Sequence, residues 1–267
     1  MLKVMPSRSF ALVCVAGPLL CILFAALVAI EPDPVISALI TTVFLLGFGV
    51  FAAITAIRRV RNSAGRRWRA WLSVCVALCL GVLANVIGLL IGLGLNVSSD
   101  IINVTLVAAQ VTCLVGLTLF PPVASRGTDL TRLILDGLVV GGSALFIAGA
   151  TIFPTLLAAS SASFSDQAQI LAIPVLDLLI GTLAVLLIAR SGTTSRTPLL
   201  LVGFAFLLYA VSDMAYAVNV SLGSAGLGSW WDVGWLGGYT LFALAALHPD
   251  AGVQADREAA ESSSIRS

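Results

Sequence analysis

Four aspartates, Asp136, Asp177, Asp213 and Asp232, lie inside long apolar stretches of this chain. A carboxyl in such a setting costs about 2.5–3.5 kcal/mol on insertion scales, which makes these residues the first place to look for function. The chemistry open to them is proton exchange, cation capture or hydrogen bonding between helices. Asp136 follows Arg132 by one helical turn, so an i,i+4 ion pair is available to it. Asp177, Asp213 and Asp232 have no such cation within their stretches. On helical spacing Tyr209, Asp213 and Tyr216 share one face, as do Asp232, Trp235 and Tyr239. Carboxylates flanked by aromatic rings suit a cationic or amphipathic ligand, or a proton-sensing pocket. The same residues serve equally as polar glue between packed helices, and both readings stand.

Other chemistries are poorly supplied. The lone histidine, His248, rules out a Ser-His-Asp set or an H-E-x-x-H site. No metal, cofactor or enzymatic activity is expected. Cys14, Cys21, Cys75, Cys79 and Cys113 all fall in apolar runs and read as reduced packing residues.

The elements that must hold these residues follow from composition. Of 267 residues, 59% are hydrophobic and 10% charged, and the mean hydropathy is +1.08. Such a chain takes the lipid bilayer as its solvent. A helix needs about 20 apolar residues to cross, and runs of that kind occur at 10–30, 35–57, 71–95, 101–120, 133–154, 169–189, 199–220 and 229–247. The expected fold is all-α, a polytopic transmembrane helical bundle of about eight spans over residues 1–249. A disordered cytoplasmic tail is expected over 250–267. The first span reads as an uncleaved signal-anchor.

Net charge is +1, so nothing points to nucleic acid. The distribution of charge says more. In an eight-span arrangement Lys3, Arg8, the six arginines from Arg58 to Arg69, Arg126, Arg132, Arg190, Arg196, Arg257 and Arg266 all fall on one side. The positive-inside rule then places both termini in the cytoplasm. The cluster from Arg58 to Arg69 is accounted for as a topogenic signal, although anionic headgroups or a cytoplasmic partner would also meet it.

Counting about 1.5 Å per residue, Asp177, Asp213 and Asp232 come roughly 12, 10 and 5 Å below the outer surface. They are therefore expected to form one outward-facing pocket in which at least one carboxyl is protonated. Asn85 and Gln110, at similar depth in spans three and four, are expected to bond to each other or to backbone carbonyls. Pro18 and Pro174 should kink spans one and six. Trp230 and Trp231 fit an interfacial aromatic belt.

The second half carries a resemblance. Arg132 with Leu135-Asp136-Gly137-Leu138 and Ser143, Pro174-x-x-Asp177, Ser212-Asp213-x-Ala215-Tyr216, Asp232-x-Gly234-Trp235-x-x-Gly238-Tyr239 and Ala245-Ala246-Leu247-His248-Pro249 occur in order. Together they resemble the multi-span N-terminal membrane region of actinobacterial GGDEF/EAL diguanylate cyclase and phosphodiesterase signalling proteins, over residues 132–249. The resemblance implies a sensor of an unknown cue in a bacterial plasma membrane, coupled to a cytoplasmic output. It does not bring cyclic-dinucleotide activity, since the chain stops where such an output domain would begin. Leu72 to Asn85 also matches Leu200 to Asp213, which suggests two four-helix halves in parallel orientation. A sensory module lacking its own output domain and acting through a signalling partner is the leading expectation. A small transporter or channel-like protein and a structural membrane subunit are the rivals.

Overall fold

The computed structural model describes residues 8–98, 100–120, 175–184, 193–221 and 227–249, with isolated positions between 139 and 186. The helices are α1 (Arg8–Ile30), α2 (Pro34–Arg61), α3 (Gly65–Gly92), α4 (Asp100–Leu119), α5 (Val175–Ala184), α6 (Thr193–Ser221) and α7 (Val233–Leu247), the last preceded by a 3-10 turn over Trp230–Asp232. There is no strand among the described residues.

Local sequence explains the main helix ends. Asp33 caps α2 by accepting from the backbone N–H groups of Val35 at 2.8 Å and Ile36 at 3.4 Å, and Pro34 occupies the first helical position, where its missing N–H costs nothing. Arg58, Arg59 and Arg61 fill the last turn, where cations complement the helix dipole. The chain then reverses within three residues, helped by Gly65 at a φ of 57°, and α3 returns against α2. Arg66 closes the far end of the next helix: its Nε and Nη2 donate to the carbonyls of Leu119 and Thr118 at 3.0 and 3.3 Å, at the C-terminal end of α4.

Packing identifies α7 as the axis of the bundle. Leu236, Gly238, Tyr239, Thr240 and Phe242 to Ala246 are all buried, so the helix is covered on nearly every side. It touches α1, α2 and α6. The closest approach is to α6. A Cβ placed on Gly234 would fall on the Ser212 hydroxyl and come within 2.9 Å of the Leu208 carbonyl, and one on Gly238 would meet the Ala205 carbonyl at 3.2 Å. Gly234 and Gly238 thus form the small-xxx-small face that lets two membrane helices meet backbone to backbone.

The outer helices do the opposite. α1 presents Leu12, Val15, Leu19 and Ile22 outward, each more than half exposed. Among the described residues five helices, namely Arg8–Ile30, Pro34–Arg61, Gly65–Gly92, Asp100–Leu119 and Thr197–Val220, are long and apolar enough to cross a bilayer. Apolar surface of that extent belongs against hydrocarbon. The chain is a helical membrane protein.

Several expectations fall outside the described residues or take a different form within them. The span expected at 133–154 falls almost wholly outside the described residues, as do the Arg132–Asp136 pair, Pro174 and the tail. Within the span expected at 169–189 the described helix is the ten residues Val175–Ala184, and the segment expected as a single span over 229–247 splits into a 3-10 turn and a 15-residue helix. α1 remains one helix through Pro18.

Candidate functional site

A cavity of about 310 Å³ lies between α2, α3 and α4 on one side and α5, α6 and α7 on the other. Its walls are mostly apolar, from Leu45 and Val74 to Phe206 and Phe242. Against this background a few polar groups converge: Asn85 from α3, Gln110 from α4, Asp177 from α5, Tyr209, Asp213 and Tyr216 from α6, and Trp235 and Tyr239 from α7. A mostly apolar pocket with a few directed polar groups has the general character of a small-molecule site.

The carboxyl of Asp177 is 1% exposed. Its Oδ1 accepts from Gln110 Nε2 at 2.7 Å, and the same amide nitrogen lies 3.3 Å from the carbonyl of Ile173. Its Oδ2 is buried and receives no N–H or hydroxyl. The neighbour of that carboxyl is Asp213, close enough for the two charges to interact. Asp213 is held from its other side by the indole of Trp235, whose Nε1 donates to Oδ1 at 2.8 Å. Gln110 and Asp177 thus join α4 to α5, and Asp213 and Trp235 join α6 to α7.

A second set of contacts runs beside the first. Asn85 Nδ2 donates to the hydroxyl of Tyr239 at 3.2 Å. The rings of Tyr209 and Tyr239 meet edge to face at 5.6 Å, and those of Tyr216 and Trp235 lie 5.8 Å apart. Edge-to-face geometry fixes ring orientation as well as distance. The aromatics thus form a rigid wall around the acid pair. No Lys or Arg lines the cavity among the described residues.

No protein family, curated protein or solved structure matches this chain. The site must be judged on its own geometry.

Six of the seven residues expected for a pocket, Asp177, Asp213, Tyr209, Tyr216, Trp235 and Tyr239, do line the cavity. Asp232 is the seventh, and it does not. Its Oδ2 accepts from the backbone N–H groups of Gly228 and Ser229 at 2.8 and 3.0 Å, and its Oδ1 from the Ser229 hydroxyl at 3.2 Å. Thr41 of α2 lies 3.5 Å from Oδ2. Asp232 is a capping residue for the turn that starts the α7 segment, and its bonding capacity is taken up there. The expected pocket of three acids is in fact a pair.

Of the two expected arrangements for Asn85 and Gln110, a bond to each other is not found and a backbone carbonyl is, for Gln110 at Ile173, while their side-chain partners lie in the second half of the chain, Asn85 on Tyr239 and Gln110 on Asp177. Rotation about the helix axis decides the partner. Trp230 and Trp231 stack at 3.7 Å and are 55% and 40% exposed, as interfacial aromatics would be. All five cysteines are free. Among the described residues no group of three or more His, Cys, Asp or Glu side chains could hold a metal.

Proposed function

We propose that this protein is a sensory, signal-transduction-type membrane module that binds a small cationic or amphipathic ligand, or a proton, in the Asp177–Asp213 cavity. The observation that carries this reading is the acid pair itself: two carboxyls from different helices, walled by rings, in an apolar cavity with no lining Lys or Arg among the described residues. A cation entering there gains carboxylate and ring contacts together. Occupancy would alter the links among α4, α5, α6 and α7, and α7 in turn packs on α1 and α2. A cytoplasmic or membrane signalling partner would receive the change. In this reading the chain catalyses no reaction, crosses a bacterial plasma membrane about eight times in two four-helix halves, and keeps both termini in the cytoplasm, in line with the arginine distribution and the signalling-protein resemblance.

The test is a tryptophan-fluorescence titration of the purified protein with benzyltrimethylammonium, using benzenesulfonate as an anion of similar size. Saturable quenching by the cation alone, lost in Asp177→Asn/Asp213→Asn, is the expected result. Identical curves for the native protein and the double variant would remove the ligand site. A deep acid-bearing cavity between helix groups also serves a small transporter. Flux of the same cation into proteoliposomes would favour that rival, whereas binding without flux favours the sensor. A structural subunit would bind nothing.

A further inference from the structure

The six arginines around the α2–α3 turn are not equivalent. Arg58, Arg61 and Arg69 are exposed, and Arg66 is engaged with the end of α4. Arg67, by contrast, is only 9% exposed, and its charge lies close enough to Arg59 for the two to repel. The Arg59 guanidinium sits over the ring of Trp71 at 6.0 Å. Its Nε and Nη2 are buried and have no acceptor.

A topogenic signal does not require this, because an exposed arginine serves the positive-inside rule equally well. Guanidinium N–H groups withdrawn from water without an acceptor are destabilising, and a like charge beside them adds to the cost. The described carboxylates do not lie at hand. Glu31 and Asp33 flank the start of α2, a helix of 28 residues and so about 40 Å long, with Arg59 near its other end. Asp100 begins α4, whose opposite end meets Arg66, Asp177 and Asp213 belong to the cavity, and Asp232 caps its turn.

We propose that Arg59 is a binding site for a phosphate group at the membrane boundary. The guanidinium fork matches two phosphate oxygens. Its buried N–H edge would meet the phosphate through a swing of the flexible arginine stem. The phosphate belongs to an anionic lipid headgroup or to a free phosphate species, and the chemistry of recognition is the same for both.

The experiment uses the full chain purified in a zwitterionic detergent, with thermal unfolding followed in added phosphatidylglycerol, phosphatidylcholine or inorganic phosphate. Phosphatidylglycerol should raise Tm by about 3 °C or more over phosphatidylcholine. Arg59→Gln should abolish that difference, and Arg61→Gln should keep it. A rise with inorganic phosphate, again dependent on Arg59, would assign the site to free phosphate. No rise with either probe, or an equal rise in Arg59→Gln, overturns the proposal. Should Arg59→Gln fail to fold, Arg59→Lys keeps the charge and removes the fork. Native mass spectrometry should then find less phosphatidylglycerol retained than by the native protein, and equal retention would overturn the proposal as well.

Discussion

The indole N–H of Trp235 donates to Oδ1 of Asp213 at 2.8 Å, so one bond both fastens α7 to α6 and orients a carboxyl in the cavity wall. Trp235→Phe keeps an aromatic ring near Tyr216 and removes only the donor. Thermal unfolding in detergent should register a loss of about 1 kcal/mol. Adding Asp213→Ala, which removes the acceptor, should cost less than the two single effects summed. Strict additivity would mean that the two side chains do not act on each other.

Gln110 should matter through Asp177. Gln110→Leu leaves a deeply buried carboxyl without its one amide donor and should destabilise the protein by about 1–3 kcal/mol. Gln110→Leu/Asp177→Leu removes both partners and should recover part of that loss. A double variant worse than the sum of the two singles would contradict the pairing.

The α6–α7 contact predicts a contrast between two glycines. Gly234→Ala places a methyl against Ser212 and the Leu208 carbonyl, and forcing the helices apart should cost about 1–3 kcal/mol. Ser212→Ala should rescue it only in part, because the carbonyl stays in place. Gly47 has nothing within 4 Å of an added Cβ, so Gly47→Ala should be neutral or stabilise by up to about 1 kcal/mol through helix propensity. Equal effects at the two positions would argue against the close packing of α6 and α7.

Asp232 and Asp213 should part company. Asp232→Ala removes a turn cap and should cost about 1–2 kcal/mol of stability while leaving benzyltrimethylammonium binding intact. Asp213→Asn should do the reverse, since the amide keeps its volume and its acceptor for Trp235. Loss of binding in a folded Asp232→Ala protein would return that carboxyl to the cavity.

The sequence was informative wherever one rule dominated. Apolar length located α1 to α4 and α6 to within a few residues at most ends. The helices overrun the apolar runs where arginines follow, as α2 does to Arg61, because long basic side chains carry their charge to water while the backbone stays helical. Helical spacing placed Tyr209, Asp213 and Tyr216 on a common face, and all three line the cavity. Asp232 was misjudged as a pocket acid for a reason visible in hindsight. Ser229-x-x-Asp232 ahead of an apolar run is a capping-box pattern, and that local signal competed with burial depth. A backbone carbonyl was expected and Gln110 meets that of Ile173, but the side-chain partners of Asn85 and Gln110 could not be read. They depend on how α3 and α4 are rotated against helices far along the chain, and no local pattern encodes that rotation.

The central position of α7 has a consequence for biogenesis. Tyr239 lies 154 residues after the Asn85 that bonds to it, so the ribosome delivers the hub of the bundle well after α1, α2 and α3 have entered the bilayer. Until then the inner face of α2 and the amide of Asn85 must wait in lipid or be shielded by the insertion machinery. Nascent chains interrupted before Val233 would display these faces, and membrane quality-control proteases would have a ready means of distinguishing them from finished molecules.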